Sequence, residues 1–387
     1  MKKYVSFGKD IDPAAIKQMD DALSLPISVK GALMPDAHLG YGLPIGGVLV
    51  TDNAVIPYAV GVDIACRMRI SILGTPVSEY QKNRGKYKIA LEKETMFGVG
   101  KEFSIQKQHK VMDENWFFCK QVKSLKDKAF KQLGTSGAGN HFAEFGILTL
   151  EKDELGIQKG EYLAFLTHSG SRGAGASIAK HYSDLAKKIH NNLPKNLHNL
   201  AWLDMDKEEG QEYFKAMELM GKYSSANHEV IHDSVLNSLG EEVLCFVENH
   251  HNFAFKEKIG NRDYIVHRKG ATPANKGVLG VIPGSMATPG FIVRGKGNEL
   301  SLNSAAHGAG RKMSRKAAKK RFEFSELNKL LKKKQVTLIS AGLDEVPMAY
   351  KDIEEIMDQQ KDLVEIIARF DPKLVKMASG GRNKKTF

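Results

Sequence analysis

The chain has 387 residues, of which 42% are hydrophobic and 26% charged, a composition typical of a globular protein with a large buried core. It contains no run of eighteen apolar residues, and no apolar segment follows the lysines near the N-terminus, so the sequence argues against a membrane span or a secretory signal and predicts a cytoplasmic protein. The net charge of +12 favours polyanionic partners, nucleic acid above all.

The first third of the sequence predicts strands followed by helices. Residues 1–30 indicate a short strand and a helix. Residues 31–72 are rich in glycine, proline and β-branched residues, which predicts strands joined by tight turns. Residues 80–132 are polar and basic with helical spacing, and a glycine loop, GTSGAGNHF, follows them.

The middle of the sequence continues this alternation. The apolar segment YLAFLTHSG predicts a strand that ends in a second glycine loop, SGSRGAG. Residues 176–240 have a helical pattern. The expected core residues of that segment are Trp202, Met217, Leu219 and Met220.

The last third again mixes the two patterns. Strands are predicted in the segments EVLCFVENHHNFAF, DYIVHRKGAT, GFIVRGKG and VTLISAG. Helices are predicted over residues 311–334 and 350–370. This alternation predicts an α/β (α+β) fold with central β-sheets flanked by helices. We expect a single domain of residues 1–387, with residues 379–387 frayed.

Residue types that bind metals lie at or near the ends of apolar, strand-like runs. Asp and Cys occur in VGVDIACRM, and histidines in GAGNHFAEF, THSGSRG and ENHHNFAF, each near the end of an apolar run and beside small residues. Taken singly, each has an ordinary interpretation as a core or loop residue. Strand ends that converge on one edge of a sheet are a common way to assemble a site. A mixture of Asp, Cys and His suits manganese, zinc or cobalt, and a thiolate that bridges two ions is compatible with a dinuclear site.

The stretch SAAHGAGR places His307 among alanines and glycines, ahead of the basic segment 311–334. Small neighbours let a ligand approach the backbone closely, and a helix that starts directly after the histidine would attract an anion such as phosphate. The simpler alternative is a histidine in a flexible loop. The segment 311–334 holds eleven Lys or Arg and two Glu, which fits either a solvated face or a groove that follows RNA phosphates.

The ordered series of motifs resembles the RtcB family of RNA-splicing ligases. The resemblance covers residues 31–356 and rests on MPDAHLGYGLPIGGV, VGVDIACRM, GAGNHFAEF, HSGSRG, HHN, VHRKGAT, IPGSM, SAAHGAGR and AYKDI. It implies an RtcB-like fold with the metal and nucleotide site at strand ends, and a monomeric enzyme dependent on two Mn²⁺ ions and GTP. Such an enzyme joins RNA 2′,3′-cyclic phosphate or 3′-phosphate ends to 5′-hydroxyl ends through a histidine–GMP intermediate.

The resemblance also implies roles for individual residues. The nucleophile that takes up GMP would be His307, with Asp36 and His38 near the reacting centre, where they would help to open the cyclic phosphate. The implied metal ligands are Asp63, Cys66, His141, His168 and His251, the last preferred to His250 because it directly precedes Asn252. The implied nucleotide-binding residues are Asn140, Glu144, Asn252, Ser285, Arg172, Arg311 and Lys376.

The sequence departs from the family pattern at a few positions. Leu39 stands where the family more often has glutamine, His228 replaces an arginine, and Ala305 lies where the family often has cysteine. These changes leave the implied ligands in place but put the RNA specificity in doubt. Two further hypotheses are a metal-dependent RNA cyclic phosphodiesterase that does not ligate and a catalytically silent RNA-binding protein. Neither needs a nucleophilic histidine. The segment GFIVRGKG is not a P-loop, because Gly297 replaces the Ser or Thr that would hold magnesium.

Overall fold

The computed structural model describes residues 3–380. The strands are Tyr4–Ser6 (β1), Ser28–His38 (β2), Ile45–Thr51 (β3), Ala54–Val55 (β4), Arg67–Leu73 (β5), Met96–Phe97 (β6), Thr135–Ser136 (β7), Phe142–Leu150 (β8), Gly160–Ser169 (β9), Leu203–Asp204 (β10), Val243–His250 (β11), Asn252–Ile259 (β12), Arg262–Lys269 (β13), Ala271–Pro273 (β14), Leu279–Ile282 (β15), Gly290–Gly295 (β16), Ser304–Ala306 (β17), Thr337–Ser340 (β18) and Val364–Met377 (β19). The helices are Pro13–Leu23 (α1), Pro57–Val60 (α2), Val77–Lys82 (α3), Arg84–Glu94 (α4), Lys120–Lys123 (α5), Lys126–Gln132 (α6), Arg172–Ile189 (α7), Glu208–Leu239 (α8), Arg315–Arg321 (α9), Phe324–Lys334 (α10) and Ile353–Asp358 (α11).

The larger of two main sheets is a nearly closed, barrel-like sheet. Its strand order is β11-β5-β9-β8-β19-β16-β15, and β18 pairs in parallel with β19. The other neighbours along this path are antiparallel. The two ends of the path come back together, because the backbone N–H of Val281 in β15 donates to Oδ1 of Asn249 in β11 at 2.8 Å.

The second main sheet has the order β1-β2-β3-β13-β12, and the chain passes to it from the larger sheet directly between β11 and β12. Helices α7 and α8 pack beside the sheets and contribute apolar faces to a large core cluster. All four residues that the sequence predicts as core in this region, Trp202, Met217, Leu219 and Met220, are at most 9% exposed. The predicted α/β (α+β) class is confirmed.

The helix predicted over residues 350–370 is wrong for most of its length. Helix α11 ends at Asp358, and Val364 begins the fourteen-residue strand β19. Val364, Phe370 and most of the apolar residues between them face packed neighbours as β19 pairs with β16 on one side and β8 on the other. Pro372, two residues beyond the predicted helix, lies in the strand beside a bulge. Pairing with β16 along residues 364–370, joined by β8 from Arg369 onward, stabilises the extended form over the local helical preference.

The basic segment 311–334 is two helices rather than one. Phe322 is extended and ends α9, and Glu323 and Glu326 form a capping box that starts α10. No helix starts directly after His307 either, since α9 begins only at Arg315, so the expected helix terminus beside that histidine is absent. The helical pattern predicted over 80–132 is also interrupted, by a long irregular stretch between β6 and α5.

In the described residues 3–380, no helix is both long enough and apolar enough to cross a membrane. The frayed tail predicted for residues 379–387 lies outside the described residues, apart from its first two positions.

Candidate metal and catalytic site

Four neighbouring strands bring the predicted metal ligands to one edge of the barrel-like sheet. Cys66 directly precedes β5, His141 directly precedes β8, and His168 lies at the end of β9 between them. The register places His168 opposite Met68 on one side and Phe142 on the other. His251 connects β11 to β12, and its backbone N–H donates to the carbonyl of Cys66 at 3.0 Å. The expected convergence of strand ends is therefore observed.

The side-chain atoms of these residues form two groups that share the Cys66 sulfur. In one group, His141 Nε2 lies 3.4 Å from Cys66 Sγ and 2.9 Å from Asp63 Oδ2. In the other, His168 Nε2 lies 3.0 Å from the same sulfur and 3.4 Å from His251 Nε2. The potential ligand atoms of Cys66, His141 and His168 all lie within 4.8 Å of one another, so these three residues can hold a metal ion.

Burial favours the neutral form of two imidazoles in this cluster, those of His168 and His251. It lowers the pKa of His168 and of His251 well below the ordinary value, and the neighbouring histidines lower it further. The Nδ1 atom of His168 is hydrogen-bonded to the carbonyl of Asn140 at 3.0 Å, which leaves the Nε2 lone pair facing Cys66. This second contact is typical of a metal-ligating histidine. Burial, followed by the charge of Asp63, raises the pKa of Cys66, so a bound cation would be needed to stabilise the thiolate.

His307 lies beside the cluster and is oriented by a buried carboxylate. It follows β17, which pairs with β14, and its ring centroid is 5.0 Å from that of His251. Asp36 Oδ2 is 2.6 Å from His307 Nδ1 and also accepts the backbone N–H of His307 at 3.2 Å. Since Nδ1 carries the proton shared with Asp36, Nε2 is the basic nitrogen of the neutral ring. The structure thus gives Asp36 a contact with the expected nucleophile, which the sequence did not predict.

Glycines are required where backbones approach these side chains. Gly310 has φ of +71°, and a Cβ there would lie 2.3 Å from the carbonyl oxygen of Asp36. At Gly137 a Cβ would lie 2.3 Å from His141 Nδ1. The glycines in HGAGR and GAGNH therefore allow the chain to pack directly against the dyad of Asp36 and His307 and against the metal cluster.

A cavity of about 590 Å³ opens onto His307 and reaches His168. Its lining comes from the loop after β2, the PGSM loop, the segment after His307 and the start of α9. Three residues predicted to bind the nucleotide, Asn140, Ser285 and Arg311, line it together with His38. Burial lowers the pKa of His38, and its Nδ1 is 2.9 Å from the carbonyl of Asp36.

Arg311 is already bound by protein groups in this structure. Its guanidinium donates to Glu345 at 2.9 Å, to the carbonyl of Asp344 at 2.7 Å and to the Tyr350 hydroxyl at 3.2 Å. Glu345 also accepts from Arg315 at 2.7 Å, and Arg315 in turn reaches Asn140 Oδ1 at 3.3 Å. Sequence reasoning missed Arg315, Glu345 and Tyr350 as lining residues, although Tyr350 belongs to the quoted motif AYKDI.

Arg172 and Asn252 form hydrogen bonds with backbone groups near the metal cluster. The guanidinium of Arg172 donates to the carbonyls of Gly98 and Ser136, at 3.1 and 2.7 Å. Asn252 donates from Nδ2 to the carbonyl of Asp63 at 3.2 Å and accepts the N–H of Gly270 at 2.7 Å. These contacts hold the loops that carry the metal cluster.

Glu144 lies in the middle of the barrel-like sheet and is 4% exposed. It is on β8, two residues beyond the cavity-lining Phe142 and therefore on the same face of the sheet. Burial raises the pKa of Glu144 well above the ordinary value. A neutral carboxyl at this position offers both a donor and an acceptor.

The structure does not bring Lys376 to the cavity. Its ammonium group donates to the carbonyls of Leu91, Glu92 and Thr95, at 2.9, 3.1 and 2.9 Å, and therefore caps the C-terminal end of α4. Burial lowers the pKa of Lys376 to about 8. A nucleotide contact would require the side chain to leave these carbonyls, so the geometry favours a structural role.

Two other histidines lie apart from the metal cluster. The ring of His250 packs against Phe253 and Phe255, at centroid distances of 4.6 and 5.3 Å. His228, which replaces the arginine of the family pattern, is fully buried and is hydrogen-bonded to Thr167 at 2.7 Å and to the carbonyl of Ser169 at 3.2 Å. It therefore supports the end of β9, next to His168.

The fold and the site together define an α/β protein with a thiol–imidazole cluster that could hold a metal ion, and an adjacent histidine held by a buried carboxylate. The sequence profile described as "tRNA-splicing ligase RtcB" matches residues 18–128 and 119–377. The chain therefore belongs to the RtcB family, which confirms the resemblance seen in its motifs.

Relatives from bacteria and archaea agree. The chain is 34% identical over 395 residues to the RNA-splicing ligase RtcB of Escherichia coli (strain K12), and the match covers 93% of each protein. It is 33% identical over 424 residues to the tRNA-splicing ligase RtcB of Nanoarchaeum equitans, covering 90% of this chain and 88% of the relative. The tRNA-splicing ligase RtcB of Methanococcus maripaludis is 32% identical with the same coverage.

Proposed function

We propose that this protein is a GTP- and manganese-dependent RNA ligase that joins 2′,3′-cyclic phosphate or 3′-phosphate ends to 5′-hydroxyl ends. Family membership supports RNA ligation, because the relatives are named RNA-splicing or tRNA-splicing ligases. The observation that carries the mechanism is the contact of 2.6 Å between His307 Nδ1 and the buried Asp36. It orients the histidine through Nδ1 and leaves Nε2 as the nitrogen available for attack, at a cavity that also reaches the metal cluster.

The donor set fits manganese. Asp63 and His141 would form one subsite and His168 and His251 a second, with Cys66 shared between them. A carboxylate, a thiol and imidazoles form a mixed donor set, and His251 would contribute Nε2, the nitrogen that faces His168. Bound manganese would neutralise the triphosphate and hold it in line for attack.

The chemistry proceeds in three displacements. His307 Nε2 attacks the α-phosphorus of GTP, forms a phosphorus–nitrogen bond and releases pyrophosphate. The RNA 3′-phosphate then takes GMP from His307 and becomes RNA-(3′)pp(5′)G. Finally the 5′-hydroxyl oxygen attacks the activated phosphate, and GMP leaves. In every step the hydrogen bond to Asp36 keeps the proton on Nδ1 of His307, and the carboxylate stabilises the positive charge that develops on the imidazole.

The other predicted residues would serve substrates. Asn140 and Ser285 line the cavity, where they would contact the phosphates and the nucleoside of GTP. Glu144 would read the guanine edge, where its carboxyl oxygens can accept hydrogen bonds from N1–H and the 2-amino group of the base. His38, kept neutral by burial, would assist the opening of a cyclic phosphate.

Three of the residues predicted to bind the nucleotide have hydrogen-bond partners within the protein. Arg172, Asn252 and Arg311 are bound to protein groups, so they would act on phosphates through the loops they hold or after exchanging partners. The exposed lysines of α9 would contact the RNA backbone. The cytoplasmic location and monomeric state stay predictions, as does the single domain.

The test is covalent labelling. With manganese and GTP labelled in its α-phosphate, the protein should gain one acid-labile, alkali-stable label, and His307→Ala should gain none. His198→Ala, a histidine that does not line the cavity, is the matched control and should label like the wild type. Label retained in His307→Ala would refute the nucleophile. Hydrolysis of cyclic phosphate without any label would instead support the phosphodiesterase alternative.

A further inference from the structure

The loop that joins β2 to β3 exposes two large side chains at the mouth of the cavity. Leu39 and Tyr41 both line the cavity, yet they are 55% and 72% exposed. Residues 39–42 are called the rim loop below. Large side chains presented side by side at the edge of a site are typical of ligand contacts rather than of folding stability.

Hydrogen bonds and close packing hold the backbone of the rim loop, although its two large side chains are exposed. Gln18 in α1 donates to the carbonyl of Gly40 at 2.7 Å and accepts the N–H of the same residue at 3.0 Å. Gly42 has φ of +72° and packs so closely that a Cβ would lie 2.6 Å from the carbonyl oxygen of Asn199. Gly40 is thus hydrogen-bonded to α1, and Gly42 is packed against Asn199.

A buried lysine anchors the position between them. The ammonium group of Lys269 donates to the carbonyl of Tyr41, and at 2.9 Å to that of Tyr58. Burial lowers the pKa of Lys269 to about 7. Burying an ammonium group is costly, and here both of these bonds go to backbone carbonyls that fix the loop. These bonds fix the backbone at Tyr41, from which the exposed ring extends at the cavity mouth, so less backbone entropy is lost when a ligand binds there.

Basic side chains also line this cavity. Lys312 and Lys316 are among its lining residues and are exposed. The acidic residues that line the described part of this cavity are Asp12 and Glu345. Asp12 caps α1 through the N–H of Ala14 at 2.8 Å, and Glu345 is paired with arginines. Exposed lysines and an exposed aromatic ring that line one cavity suit a strand with phosphates and bases.

We propose that the rim loop stacks the base of the 3′-terminal nucleotide of the RNA strand on Tyr41, while the phosphate of that nucleotide reaches His307. This inference rests on the proposed function, since GMP must pass from His307 to the RNA 3′-phosphate. The rim loop begins directly after His38, which is hydrogen-bonded to the carbonyl of Asp36 in the dyad. Every base has a π face, so the platform accepts any base at the RNA end.

The experiment measures activation of RNA alone. An oligonucleotide with a 3′-phosphate is incubated with GTP and manganese, without a 5′-hydroxyl partner, and formation of RNA-(3′)pp(5′)G is followed. Tyr41→Ala should raise the KM for RNA about 5- to 30-fold, the lower part of the range for base–aromatic stacking because the ring is largely exposed. Tyr41→Phe should stay within about twofold of the wild type. Phe246→Ala is the matched control, because Phe246 is 51% exposed on β11 and does not line the cavity.

Two further measurements identify the occupant of the platform. RNA affinity is titrated against salt: Tyr41→Ala should weaken binding by a similar factor at every salt concentration, whereas changing Lys312 and Lys316 to Gln should reduce the slope. The KM for GTP in self-guanylylation is measured with the same variants. Gln18→Leu, which keeps the ring but removes the anchor of Gly40, should raise the KM for RNA in the same direction as Tyr41→Ala.

The outcomes separate the two proposals. A wild-type protein that forms no activated RNA would refute the proposed function, and the stacking role with it. If the wild type activates RNA but Tyr41→Ala keeps the wild-type KM for RNA, only the rim-loop proposal is overturned. A higher KM for GTP with an unchanged KM for RNA would overturn it too, because the ring would then serve the nucleotide.

Discussion

The contact between Asp36 and His307 makes a quantitative prediction for Asp36→Asn. Asp36 is fully buried, and its Oδ2 accepts two hydrogen bonds from His307, at 2.6 Å from Nδ1 and 3.2 Å from the backbone N–H. Its Oδ1 has no hydrogen-bond partner among the described residues. An Asn side chain fits the same space, but it removes the negative charge that stabilises the imidazolium.

The size of the effect follows from these contacts. A hydrogen bond to a charged group contributes about 1.5–3 kcal/mol, and each 1.36 kcal/mol is tenfold in rate. Asp36→Asn should therefore slow self-guanylylation about 10- to 150-fold. The assay is a single-turnover time course with labelled GTP at saturating concentration. Thermal unfolding of the variant confirms that the protein is folded.

A second carboxylate in the same cavity provides the matched control for Asp36→Asn. Asp12→Asn removes a carboxylate from the same cavity, but asparagine still caps α1, so guanylylation should change less than about threefold. The resemblance to the family implies instead that Asp36 helps to open the cyclic phosphate. If Asp36→Asn labels at the wild-type rate and fails only with cyclic phosphate ends, that expectation is right and the role inferred from the contact with His307 is wrong.

Three further predictions concern the metal, the RNA and the pH. Cys66→Ala removes the sulfur shared by both groups of ligands, so manganese content measured by elemental analysis and guanylylation should both collapse, and full activity would contradict this site. Replacing three lysines of α9 by Gln should lower the salt dependence of RNA affinity while guanylylation continues; these are Lys316, Lys319 and Lys320. Burial lowers the pKa of His267 to about 4 from 6.5, so only the unfolded state binds this proton between those values, and stability falls as the pH drops through that window. The loss is about 3 kcal/mol, and His267→Gln should flatten the pH dependence of the unfolding free energy measured in urea.

Much of the site could be predicted from sequence because its residues sit at breaks in strong local patterns. The apolar run before His168 and the glycines around His141 and His307 indicate strands that end in tight loops, and the structure has them there. Cys66 and His141 precede their strands, whereas His168 lies at the end of its own, so they share an edge only because β9 runs antiparallel to both β5 and β8. The sequence indicated the strand ends, and the tertiary structure decided this pairing.

The tertiary structure decided what local pattern could not. Residues 364–370 have an acceptable helical pattern, yet β16 offers them backbone partners along this stretch, joined by β8 from Arg369 onward, and this pairing stabilises a strand. The family pattern placed Lys376 near the nucleotide, whereas its ammonium group binds the carbonyls at the end of α4.

The sequence by itself determined the residue types available for chemistry and the strands that carry them, because hydrophobic periodicity and glycine positions act over a few residues. Only the tertiary structure decided which side chains meet. Asp36 and His307 are 271 positions apart, and their hydrogen bond exists because β2 and the loop after β17 pack together around Gly310. Partner choice among buried polar groups depends on which of them the folded chain brings within about 3 Å, and no local pattern encodes that distance.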